Sequence, residues 1–236
     1  MINIFRKYHI INNFPPSYPL YKKIIANFLF FFFGMIIHPR KNRLTHDDLA
    51  RARLMLRKGD ILLVGNLETI LSSVIREPVT HSAIYVGHHR FIHSFPDGIQ
   101  YISLYKVYTD YDTMVLLRLP KKTPDKEKII DSVMRYVKRQ YGKPYDYEFK
   151  HGAQSFFCTE LVNESYQHAG YNSGLISLKR PKRIIKKIEE KISGAVDALE
   201  PINFLNGNFD VVFLSHNLEL KHNKLSFVDD NKQLKN

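Results

Sequence analysis

"REPVTHSAIYVGHHRFIHSF", residues 76–95, is the stretch on which the fold turns. After Pro78 it runs in strand fashion through "HSAIYVG", breaks at the His88–His89 pair behind Gly87, and resumes as "RFIHSF". β-Branched and aromatic residues on both sides of a short turn predict a hairpin. His81 stands at the entrance of the first strand and His93 in the middle of the second. A hairpin therefore lays His93 alongside the strand that His81 opens. His88 and His89 fall in the turn, where an exposed histidine is unremarkable. A zinc site on the four histidines is disfavoured, because a turn pair plus two strand positions lacks the ligand spacing of structural sites.

Upstream, "LTHDDLARARLMLRKGDILLVGN" opens with Thr45 three residues before Asp48, a capping-box-like helix entry. Gly59 stops that helix, and "DILLVG" reads as a buried strand. "LETILSSVI" then predicts a short helix. Downstream, "GIQYISL" and "TMVLLRL" are strand-like, with "PDG" marking the first turn. "TPDKEKIIDSVMRYVKRQYG" predicts a helix capped at Thr123, with Pro124 in its first turn and Gly142 closing it. A further helix starts at Cys158, "CTELVNESYQHAG", and ends at Gly170. The expected fold class is α+β: a small, mainly antiparallel sheet packed on the cysteine-bearing helix, over residues 45–215.

The flanks differ in character. Residues 1–44 form an apolar extension whose core, "IIANFLFFFFGMII" at 24–37, is shorter than the roughly 20 residues a spanning helix needs. Lys22, Lys23, Arg40, Lys41 and Arg43 bracket it, which predicts a membrane anchor, with a buried core helix as the alternative. A signal-peptide core is disfavoured because "IIHPRKNR" offers no small-residue cleavage site. Between 177 and 193 a basic helix carries the stripe Ile184, Ile185 and Ile188, and is either solvated or membrane-facing. Residues 216–236 read as a polar tail. The chain has 236 residues and a net charge of +12, so one domain with an anionic partner surface is expected. Nucleic acid is not expected, because the basic residues at 179–191 lack interleaved aromatics. The expected location is membrane-associated, with a soluble cytoplasmic or exported protein as the alternative.

Cys158 is the lone cysteine, which excludes an internal disulfide and a cysteine-rich zinc site. A lone cysteine is ordinarily a small buried hydrophobe. Here it follows the extended "SFF" and starts a helix, where unpaired N–H groups and the helix dipole favour a thiolate. His81 can supply the base and imidazolium partner. A third polar group must then orient that ring, and His93 is placed to do so. The same helix N–H groups can receive the oxyanion of an acyl intermediate.

In order, "GDILLVG", "HSAIYVG…RFIHS", "GKPYDYEF" and "FFCTELV" resemble the circularly permuted papain-fold hydrolases of the YiiX-like group, relatives of NlpC-type cell-wall peptidases. They are also similar to lecithin:retinol acyltransferase. The resemblance covers roughly residues 45–170, with a weaker echo at "EPINFL". The histidine precedes the cysteine, the permuted order. The resemblance implies Cys158 as nucleophile, His81 as general base and His93 as third member. YiiX-like peptidases often carry glutamate at that third place, whereas a Cys-His-His set resembles the acyltransferase and lipid-hydrolase branch. Tyr145 and Asp146 match the "PYD" motif, which implies packing and capping beneath the cysteine helix. The activity expected is thiol-mediated acyl chemistry on an amide or ester, without metal or organic cofactor. A lipid-directed hydrolase or acyltransferase, a cell-wall amidase or peptidase, and an inactive membrane-surface binding protein are the three forms it can take.

Overall fold

The structure is a computed structural model, and it describes residues 10–14, 16, 18–33, 44–66, 77–146, 155–175, 199–222 and 224–228. Outside them lie the short helix expected at "LETILSSVI", the basic helix expected at 177–193, residues 34–37 of the apolar block and the last residues of the tail.

Five strands follow the expected runs: β1 (Ile61–Gly65), β2 (His81–Gly87), β3 (Arg90–Phe95), β4 (Gly98–Ser103) and β5 (Thr113–Arg118). With β6 (Asp210–Leu214) they form an antiparallel sheet in the order β4-β3-β2-β1-β5-β6. Side chains alternate across it. Ile61, Leu63, Ile84, Ile92, Val115 and Leu117 point to one face, and Leu62, Val64, Ala83, Tyr85, Met114 and Leu116 to the other. The first face is covered by α4 (Lys126–Arg139) and α5 (Cys158–His168) through Val133, Val137, Leu161, Val162 and Tyr166. The second meets α2 (His46–Met55) and α3 (Leu104–Asp110) through Ala52, Leu104 and Val107. Burial on both faces is why "ILLVG" is apolar at every position. The fold is α+β, as expected.

Thr45 caps α2 as predicted: its hydroxyl accepts from Asp48 N at 3.1 Å while Asp48 Oδ2 accepts from Thr45 N at 2.9 Å. The hairpin turn places His88 and His89 at φ 52° and 55°, both exposed, the conformation a two-residue turn between twisted strands requires. The cap predicted at Thr123 is displaced. Thr123 N bonds Pro120 O in a turn, and α4 begins after Asp125 and ends at Arg139, ahead of Gly142.

The stretch read as a polar tail from 216 is structured as far as Val228. β7 (Leu218–Lys221) and β8 (Lys224–Phe227) pair as a hairpin, burying Leu218 and Leu225 in the main core. Alternating Leu with Lys and Glu makes these strands half-buried, so their composition alone reads as polar.

The N-terminal block folds as α1 (Leu20–Phe33), beginning earlier than expected because Pro19 starts the turn from which Lys23 N bonds back. Ala26 packs with Ile11, Tyr18, Phe14 and Tyr145, and the Asn27 amide is exchanged with Ile11 N and O. Asn13 Nδ2 reaches Asp97 O at 2.8 Å, which fixes the segment to the β3–β4 turn. No helix among the described residues is long and apolar enough to cross a membrane.

Candidate active site

His81 is the first residue of β2, and the sequence behind it sets its position. A Cβ on Gly65 would lie 2.1 Å from Pro78 O, so only glycine lets the approach to β2 run this close to the end of β1. Thr113 Oγ1 donates to the same carbonyl at 2.5 Å. The β2–β3 ladder is registered only from Ile84–Ile92 onward, so the two strands are unladdered at the His81 end. Into that end comes the segment leading to α5. Phe156 bridges Tyr145, its carbonyl accepts from Ser94 Oγ and from Asp146 N, and Cys158 follows as the first helical residue. Tyr145 and Asp146 thus sit against the entry to the cysteine helix, where the "PYD" resemblance put them.

His81 and His93 leave their strands on the same face, and His81 Nε2 lies 2.8 Å from His93 Nδ1. The Cys158 thiol lies 3.7 Å from Thr159 Oγ1, and the His81 side chain and the backbone N–H of Ser82 act on it to lower its pKa. With Nε2 committed to His93, the ring nitrogen left for sulfur is Nδ1. Tyr111 stacks flat on His81 at 6.0 Å between centroids, while His93 and Phe95 meet its ring edge-on at 5.0 and 5.9 Å. The imidazole therefore cannot turn without breaking contacts on several sides.

The electrostatics follow from this packing. Burial pushes the Cys158 thiol up, but the His81 charge and hydrogen bond, with lesser help from Thr159 and Ser82 N–H, bring it down to about 7. Cys158 nevertheless keeps part of its surface open. His93 is buried, and burial, reinforced by the charges of His81 and Lys106, holds it well below the ordinary histidine range. A neutral His93 whose Nδ1 receives the His81 proton must carry its own proton on Nε2. It is an acceptor by construction.

All three site residues predicted from sequence therefore come together, and His88 and His89 do not join them. Sequence reasoning missed Tyr111, which has no local signal because it precedes β5 and reaches His81 only through the fold. It also missed the Ser82 N–H, a backbone donor that no residue type announces. Among the described residues, no three His, Cys, Asp or Glu side chains converge as a metal-binding group.

Removing the His93 acceptor should loosen His81 rather than delete it. His93→Ala is expected to lower turnover by about 10- to 100-fold, and His93→Gln, which keeps an acceptor oxygen, to recover part of it. A His93→Ala enzyme with unchanged turnover and an unchanged pH profile would show that His93 only fills space.

The chain shares its fold with the crystal structure of the metalloprotein YiiX from Escherichia coli O157:H7, at 18% identity and a TM-score of 0.53, over 66% of this chain and 96% of that one. No curated protein matches the sequence. Residues 55–189 match the family described as permuted papain-like amidase enzyme, YaeF/YiiX, C92 family, a span that contains His81, His93 and Cys158. The chain belongs to this family of permuted papain-like amidases.

Proposed function

We propose that the chain hydrolyses an acyl amide or ester through a thioester on Cys158. The observation that supports this reading best is the His81–His93 hydrogen bond beside a Cys158 thiol at a helix start that the His81 charge lowers to about 7.

Near neutral pH about half of the sulfur is thiolate, paired with an imidazolium at His81. The thiolate attacks the acyl carbon; the C–S bond forms and the carbonyl electrons move to oxygen. First-turn N–H groups of α5 have no acceptor within the helix and meet that oxyanion. His81 gives its proton to the leaving nitrogen or oxygen as that bond breaks, leaving a thioester. Water then enters; His81 takes its proton, and collapse of the second tetrahedral adduct releases the acid and returns the sulfur. Throughout, the Nε2 proton of His81 stays with His93. The same thioester can pass its acyl group to another acceptor. A lipidic acyl substrate is favoured by one observation, the exposed apolar face of α1.

The test is alkylation of Cys158 by iodoacetamide across about pH 5 to 10, read by mass; the lone cysteine makes the assignment unambiguous. The wild-type midpoint is expected at about 7, against 9.0 for an ordinary thiol. In His81→Ala the lowering charge is gone and burial remains, so labelling at neutral pH should fall by about 50-fold. A lipid ester and an acyl amide probe should each be offered, and the acyl mass sought on Cys158. A wild-type midpoint at the ordinary value with no acyl adduct would leave an inactive scaffold.

A further inference from the structure

We infer that α1 is an in-plane docking helix for an anionic lipid surface, set beside the thiol site. The inference stands apart from the acyl chemistry. Helices of soluble domains bury an apolar stripe and expose a polar one. α1 reverses this. At 100° per residue, Leu20, Tyr21, Ile24, Ile25, Phe28 and Phe31 fall within an arc of about 140°, and all six are exposed, Leu20 by 73% and Ile24 by 63%. No charged or amide side chain falls in that arc. The opposite side is the packed one, with Ala26 buried against Ile11, Tyr18 and Tyr145.

Lys22 and Lys23 lie about 60° beyond the two edges of the apolar arc, their ammonium groups over the rings of Tyr18 and Phe14 at 5.8 and 5.9 Å. An apolar face with a long lysine side chain behind each edge fits acyl chains below and anionic headgroups around them. The net charge of +12 adds long-range attraction to such a surface and opposes a second copy of the chain as the occupant. The described helix has 14 residues, fewer than the roughly 20 of a span, and its apolar arc suits a position in the interface.

Its attachment fixes where the active site goes. α1 is held by Asn13 to Asp97, four residues after His93, and by packing on Tyr145, whose bridge partner Phe156 lies two residues before Cys158. Docking through α1 therefore brings the open end of the β2–β3 pair toward the bilayer.

The test is flotation of the full chain with vesicles of phosphatidylcholine and phosphatidylglycerol in equal parts, against pure phosphatidylcholine. The wild type is expected to float with the anionic vesicles and to be released progressively by salt. Leu20→Asp with Ile24→Asp should weaken this partition by about 100-fold or more, whereas Leu54→Asp, at a still more exposed leucine on α2, should not. The Cys158 alkylation rate in all three reports folding and the thiol site separately. Unchanged flotation of the double variant overturns the inference, as does equal binding to neutral vesicles. So does a concentration-dependent wild-type dimer that the double variant abolishes, which would assign the face to a second copy.

Discussion

Cys158→Ala is expected to abolish acyl turnover, and His81→Ala to reduce it by at least about 10⁴-fold, with the double variant hardly worse than either. The reason is that the two side chains form one device. Without the sulfur, nothing takes the acyl group. Without the imidazole, burial raises the thiol and no group protonates the leaving atom. A double variant that lost the product of the two single losses would mean independent roles. Full turnover in His81→Ala, measured by release of a chromogenic leaving group, would refute the base assignment outright.

Asp48→Ala is expected to cost about 3 kcal/mol, enough to lower the melting temperature by about 6 to 12 °C. Its fully buried carboxylate accepts from Thr45 N, Thr45 Oγ1, His216 N at 2.9 Å and His216 Nδ1 at 2.6 Å. Burial raises its pKa, but the hydrogen bonds from Thr45 and His216 outweigh that and leave it below the ordinary carboxylate value. A depressed folded-state pKa means the contribution is complete above the unfolded value, near pH 4, and is lost as the pH falls through the folded one. Chemical unfolding at neutral and mildly acid pH checks both halves. An Asp48→Ala protein of wild-type stability at neutral pH would show that α2 and the C-terminal strands are not joined through this carboxylate.

The fold could be read where local chemistry and tertiary structure agree. Thr45 and Asp48 cap a helix by side chains three residues apart, and the β2–β3 hairpin is fixed by its own turn. The same holds for the site: a strand-entry histidine, its neighbour across the hairpin, and a cysteine at a helix start are all local features. Helix α3 was invisible because "LYKVYTD" has β-branched and aromatic residues that favour a strand. It winds because Ser103 accepts from Lys106 N and Leu104 and Val107 are buried beneath it. The Asp48–His216 link joins residues 168 apart, and β6 pairs with β5 across 91 intervening residues. No property of a short window carries such pairings.

That last separation also matters during synthesis. When the chain has been made as far as α5, every residue of the thiol site exists, but the outer edge of β5, "TMVLLR", has no neighbour until β6 appears. At elongation speeds of about 5 to 20 residues per second, the wait from the end of α5 to β6 is about 2 to 9 s. For that interval the nascent protein presents a bare apolar strand edge, the kind of surface on which chains join one another. A ribosome that stalls, or a stop codon that falls, before Asp210 would leave the catalytic groups assembled in an aggregation-prone chain, so holdase chaperones are expected to be retained on such fragments and released once β6 closes the sheet.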